Sequence, residues 1–267
     1  NLKQIGVAVH NFHDSEGRFP YSGTTVNYNW ATDQNVPGAN TWTWVARILP
    51  YIEQGTIAGT YNIPGGTMGA AQAGLAVRIN TLRCPTALEN GDTATDWANT
   101  GLSAVTMALI NYRGVSGSNW GINTGATFAT AYPVTDPDPA LGQNGLDAGN
   151  GIFYRTDGKR RLTFAGITDG TANTLMAGES SHSFDQHCGG WAYPNYVHGT
   201  CAIPLNFKDP GKTYTNWQNR YSFYSYHSGG GNFARADGSV VFISDSINLT
   251  TYRNLATIKG GEVLGNY

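Results

Sequence analysis

The sequence predicts an α+β domain in which an N-terminal helix packs on an antiparallel β-sheet that carries long loop insertions. Three observations predict it. At the start of the chain, Leu2, Ile5, Val9 and Phe12 recur at steps of three and four, which places them on one face of a helix. Near the end, residues 232–236 and 239–243 alternate apolar and polar about Asp237-Gly238, the strongest short-range hairpin signal. Between these ends turn-forming residues abound: Gly numbers 35 of 267, while only 13% of residues are charged. Helical periodicity first and strand periodicity last is the pattern of segregated helices and strands.

The elements follow in order. Gly17 ends the first helix in a left-handed turn, and Pro20 prevents its return. Its apolar stripe already runs at residue 2, so residues 1–17 read as the C-terminal half of a longer helix whose earlier part lies outside this chain. Residues 21–41 are polar and turn-rich, a loop. Trp44, Ile48, Tyr51 and Ile52 return to helical spacing, interrupted by Pro50. This predicts a helix over 42–49, a kink and a short helical piece through Gln54, with the aromatics packed against the first helix and the sheet. Residues 69–80 read as a helix with Ala73, Ala76 and Val77 on its apolar face. Residues 109–115 read as a strand, although so short an apolar run also fits a helix.

Residues 116–149 show little periodicity, and 180–220 are a second long excursion; both are insertions in one domain spanning 1–267. Alternation at 152–155 and 162–164 about Thr156-Asp157-Gly158-Lys159 predicts a hairpin. A turn at 167–174 leads into a strand at 175–178. Residues 249–258 read as a short closing helix.

Composition narrows the function. Hydrophobic residues make up 40% of the chain, enough for a sizeable core. The net charge is −2 and the one basic cluster is Lys159-Arg160-Arg161, which argues against a nucleic-acid partner because phosphate neutralisation needs a basic face. No apolar run reaches the ~20 residues that span a bilayer. Sparse charge with abundant Gly, Asn, Thr and Tyr suits a secreted, β-rich protein.

The three cysteines are Cys84, Cys188 and Cys201. An odd count leaves one thiol over. Cys188 and Cys201 flank a Gly- and Pro-containing loop and are expected to pair, which for a loop of this size stabilises by roughly 3 kcal/mol; Cys84 is then unpaired.

Several segments together resemble a known family. They are Asn1–Pro20 (NLKQIGVAVHNFHDSEGRFP), the Ile48-Leu49-Pro50-Tyr51 segment ending in Glu53-Gln54, Cys84-Pro85, Asn111-Tyr112-Arg113-Gly114-Val115, and Ile167-Thr168-Asp169-Gly170-Thr171-Ala172-Asn173-Thr174. The last is His227 followed by nine residues and Asp237-Gly238. The chain resembles a bacterial family of pseudopilin-like secreted proteins, abundant in planctomycetes, labelled domain of unknown function 1559 and elsewhere bacterial solute-binding family 10. Two departures stand out: Ala172 replaces a serine, and Ser228 a proline. The resemblance implies a pilin-like fold and a preceding prepilin-type membrane helix, absent from this sequence, through which alone the protein would meet a membrane. It also implies a role in type II secretion or type IV pilus-like assemblies, and a cysteine ahead of Asn1 as the partner of Cys84.

Candidate functional residues fall in four groups. Trp191, Tyr193, Tyr196 and Trp217 are either an exposed aromatic platform for a glycan or a neighbouring subunit, or a lid over the sheet. His182, His187 and His198 with Asp185 and Cys188 contain a His-x4-His spacing, but Gly and Pro make the helix that zinc ligation would need improbable, and solvent-facing loop residues are the simpler reading. Asp136, Asp138 and Asp147, with Asn150, are oxygen donors in a Gly-rich stretch. Their spacing is not that of an EF-hand, so they are solvated carboxylates or a structural calcium site. His227, Asn232, Asp237 and Gly238 read as structural, because no nucleophile accompanies the histidine and aspartate. The expectation is a non-enzymatic extracellular or cell-surface assembly protein of a bacterium, without a cofactor, that associates with copies of itself. A solute- or glycan-binding module using residues 180–220 is the alternative, and a hydrolase or metalloenzyme using His227, Asp237 or the His182–His198 cluster a third reading.

Overall fold

The computed structural model describes residues 1–23, 42–89, 91–95, 106–120, 127–128, 145–184, 190–208 and 218–262. Helix α1 runs Leu2–Glu16 and buries Leu2, Ile5, Ala8, Val9 and Phe12. Gly17 closes it at φ 65°, with its N–H on the His13 carbonyl at 2.8 Å. Glycine accepts that left-handed backbone without a Cβ clash. Helix α2 is Trp44–Ile48. Thr43 caps it by accepting the Ala46 N–H at 3.1 Å. Pro50 falls in a 3₁₀ turn, Leu49–Ile52, and helix α3 is Gly55–Thr60. Tyr51 meets α1 as the periodicity predicts, its ring edge-on to Phe12 and its hydroxyl 2.5 Å from Ser15 Oγ.

The helix expected over 69–80 shrinks to α4, Gln72–Leu75. Strands β1, Thr93–Thr95, and β2, Thr106–Ala108, form a two-stranded sheet. The main sheet has five strands: β3 Tyr112–Val115, β4 Leu175–Glu179, β5 His198–Gly199, β6 Gly230–Arg235 and β7 Val240–Ser244. Their order is β5-β3-β4-β6-β7. Every pairing is antiparallel except β3 with the two-residue β5, which is parallel. Helix α5, Leu249–Asn254, starts at Asn248, whose side chain accepts from the Thr250 and Thr251 N–H groups.

Both faces of the sheet are covered. On β6, Ala234 joins the core formed with α1 and α2, whereas Phe233 joins a second core with Tyr252 and Leu255. Neighbouring strand residues point to opposite faces, so α1 and α5 lie on opposite sides. The closing helix therefore makes a layer that the sequence did not announce. Double coverage also explains why β4 is buried at all five positions and carries no charged residue before Glu179 at its end.

Alpha-helix α1 packs on β6 and meets the Asp237-Gly238 turn. Lys3 Nζ donates to the Gly238 carbonyl at 2.9 Å, and His10 Nε2 to that of Ala236 at 2.8 Å. Gly6 makes the approach possible: a Cβ there would lie 3.2 Å from the Gly238 Cα. No helix among the described residues is long and apolar enough to cross a membrane.

The predicted hairpin at 152–164 does not form. Residues 157–159 make a 3₁₀ turn, and Asp157 points inward. Its carboxylate accepts the N–H groups of Ser22 at 2.5 Å and Tyr154 at 3.2 Å. Capping two buried donors outweighs a surface turn, because each would otherwise be left unpaired.

Candidate functional site

Three of the four aromatic residues singled out in the second insertion are interior. Trp191, Tyr193 and Tyr196 are all buried, so the exposed-platform reading is corrected in favour of the lid. The Trp191 carbonyl accepts from Thr43 Oγ1 at 2.7 Å, and the Tyr196 carbonyl from Arg113 Nε at 3.2 Å. Sparse charge left these rings as the apolar material that seals α2 against β3 and β5. Trp217 lies outside the described residues.

His198 is buried as well. Its Nδ1–H donates to the Pro194 carbonyl at 2.6 Å, so Nε2 accepts from Ser22 Oγ at 3.1 Å. Burial, together with the Arg155 and Arg113 charges, pushes its pKa down to about 3. It is a neutral core residue rather than a solvent-facing loop histidine. Burial pushes Asp157 the other way, to about 7, against the nearby Arg160 charge and its two backbone hydrogen bonds.

Cys201 is a free, buried thiol in the core beneath α5, among Leu175, Phe233 and Tyr252, which corrects the expected Cys188–Cys201 disulfide. Burial pushes its pKa up to about 12. Cys188, with Asp185 and His187, lies outside the described residues, as do Asp136 and Asp138. Asp147 is half-buried and ion-paired with Arg155 Nε at 2.7 Å rather than a freely solvated loop carboxylate. Asn150 is buried too, its Oδ1 accepting the Ser118 N–H at 2.8 Å.

The signature residues part company. Asp237 Oδ1 accepts the Ser239 N–H at 2.8 Å, and Gly238 sits at φ 79°, so this pair shapes the β6–β7 turn against which α1 rests. His227 lies elsewhere, in an open cleft of about 460 Å³ between the start of α1, the Cys84-Pro85-Thr86 turn and the ends of β3, β4 and β6. Glu179, the last residue of β4, is at its floor. Glu179 Oε1 is 3.2 Å from His227 Nε2 and 3.6 Å from Cys84 Sγ. Its other oxygen accepts from Ser225 Oγ at 2.7 Å and from the Asn232 N–H at 2.8 Å. Asn232, another signature residue, thus acts by fixing the carboxylate.

Local structure holds the two other groups. The Cys84 N–H donates to Asn111 Oδ1 at 3.0 Å, and Asn111 Nδ2 donates to the Ser180 carbonyl at 3.2 Å, tying the cysteine turn to the end of β4. Ser225 Oγ also accepts the His227 N–H at 3.1 Å. Tyr112 closes one side; burial, with Cys84 and Glu179 beside it, raises its pKa and keeps its hydroxyl neutral. Among the described residues, these are the side chains that converge as a ligand-like set; His182 and His198 do not join one.

Chain order hid this meeting. Cys84, Glu179 and His227 lie in three distant segments, and only a buried glutamate in a charge-poor chain could have signalled it.

A family model described as "Protein of unknown function (DUF1559)" matches residues 1–250. The chain belongs to the DUF1559 family. Comparison with curated proteins and with solved structures finds no match. The DUF1559 match spans every element described above except the end of α5 and the segment after it, so α1, both sheets and the cleft all belong to the family's fold.

Proposed function

We propose that this DUF1559 protein is a non-enzymatic, pilin-type subunit of a bacterial extracellular or cell-surface assembly, built through contacts between copies. The observation that carries the reading is the outer strand β7. It ends the main sheet and exposes two apolar side chains, Val240 at 43% and Phe242 at 50%. Helix α1 packs on β6 and leaves these residues uncovered. An apolar outer strand is a template for pairing unless it is blunted by charge, proline or a bulge. Between Val240 and Ser244 there is no charged residue and no proline.

The test is sedimentation of the protein beside a Val240→Lys/Phe242→Lys double variant. Self-association of the parent and its loss in a variant of unchanged melting temperature is the expected result. Equal sedimentation of the two as single chains would contradict the proposal.

A second reading is supported by the cleft at Cys84, Glu179 and His227, which is open enough to admit a small solute. Binding there would rest on polar groups, because Trp191, Tyr193 and Tyr196 are interior and do not line the cleft.

A further inference from the structure

We propose that Cys84, Glu179 and His227 form a binding site for a divalent transition-metal ion of the zinc type, with its fourth position open to the cleft. The donor set is one sulfur, one oxygen and one imidazole nitrogen, and soft thiolate with imidazole selects zinc-like ions over calcium or magnesium. Three protein ligands with a vacant position is the arrangement of an open tetrahedral site.

Distances decide between a ligand set and chance proximity. Tetrahedral bonds of roughly 2.3 Å to sulfur and 2.0–2.1 Å to nitrogen and oxygen place sulfur and oxygen ~3.5 Å apart, and nitrogen and oxygen ~3.3 Å apart. The observed separations are 3.6 Å for Cys84 Sγ to Glu179 Oε1 and 3.2 Å for His227 Nε2 to Glu179 Oε1. All three ligand atoms lie within 4.8 Å of one another. The His227 side chain is 34% exposed, so a small rotation can bring its nitrogen to the sulfur without disturbing the core.

The support around the ligands has the form that metal sites use. Glu179 Oε2 is anchored by Ser225 and the Asn232 N–H, while Oε1 faces the cleft and accepts from Asn232 Nδ2 at 3.3 Å, a contact that orients the ligand oxygen. Cys84 is held through its backbone by Asn111. Lys3, the cation that lines the cleft, is turned onto the Gly238 carbonyl. Binding a dication releases the Cys84 thiol proton to solvent. Thiolate and carboxylate then neutralise the ion while imidazole stays neutral. A thiol nucleophile is the poorer reading: Cys84 Sγ contacts Thr86, Glu179 and the Tyr112 hydroxyl, and no hydrogen bond joins it to the imidazole that would have to act as its base.

The experiment is titration of the reduced, chelator-treated protein with Co²⁺ and then Zn²⁺, followed by absorbance and thermal melting. The expected result is one equivalent of Co²⁺ with a thiolate-to-cobalt charge-transfer band, displacement by Zn²⁺, and a melting temperature raised by either ion. Cys84→Ser should abolish the band. His227→Ala, at a half-exposed position where folding is preserved, should weaken binding at least tenfold, and Glu179→Gln should do the same. Absence of the band in the parent, or binding unchanged in both Cys84→Ser and His227→Ala, would overturn the proposal. So would a Cys84 thiol that, before reduction, resists alkylation because it is held in a disulfide.

Discussion

Ser22 joins two buried groups that titrate in opposite senses. Its N–H donates to Asp157 and its hydroxyl to His198. His198 has a folded pKa of about 3 against an ordinary 6.5, so between these values only the unfolded chain holds its proton. Its contribution is present above pH 6.5 and is lost as pH falls toward 3. Asp157 has a folded pKa of about 7 against 3.8, so here the folded chain holds the extra proton, and stability declines as pH rises from 3.8 to 7. Chemical denaturation across pH 4–7 separates them. The stability advantage of the parent over His198→Gln should grow with pH up to about 6.5, and its advantage over Asp157→Asn should shrink over the same range. The reverse slopes would mean that these groups are charged in the fold. Arg113 makes a related point. It is fully buried and donates to the carbonyls of Tyr196, Arg220 and Ser222. Arg113→Met should destabilise by about 2–4 kcal/mol in urea unfolding, because it strips charged hydrogen bonds from buried carbonyls.

At the scale of elements, α1 is fixed by the β6–β7 turn as much as by its own stripe. Gly6→Val should destabilise by about 1–3 kcal/mol, since the added methyls meet the Gly238 backbone, which cannot rotate away. A melting temperature equal to the parent's would show that α1 is free to lift. The elements legible in the sequence are those with local reasons to form. Helix α1 has its stripe and Gly17, β6 and β7 have Asp237-Gly238, and α5 has the Asn248 cap. The expected helix at 69–80 forms only over Gln72–Leu75, around a Gly74 that weakens a helix interior and whose side-chain space the Tyr61 ring takes, a contact no periodicity encodes. The expected hairpin at 152–164 loses to the inward Asp157. Its partner Ser22 lies more than a hundred residues away in sequence. The cleft was illegible for the same reason: His227 was visible as a signature and Cys84 as an odd thiol, but only the sheet register, which sets Tyr112 opposite Glu179, brings the carboxylate to them.

At the scale of the molecule, the sheet is covered by α1 on one face and α5 on the other, while the outer strand β7 leaves Val240 and Phe242 uncovered. Burial of Trp191, Tyr193 and Tyr196 takes these rings out of any adhesive surface and shifts the expected contact to Val240 and Phe242. A non-enzymatic subunit should also show no turnover in a broad hydrolase screen; turnover abolished by His227→Ala would overturn that part of the reading. Electron microscopy of the protein in material taken from the bacterial surface tests the central claim most directly. Filaments or ordered arrays in which β7 of one copy meets the next are the predicted result, and dispersed single chains with β7 facing solvent would contradict it.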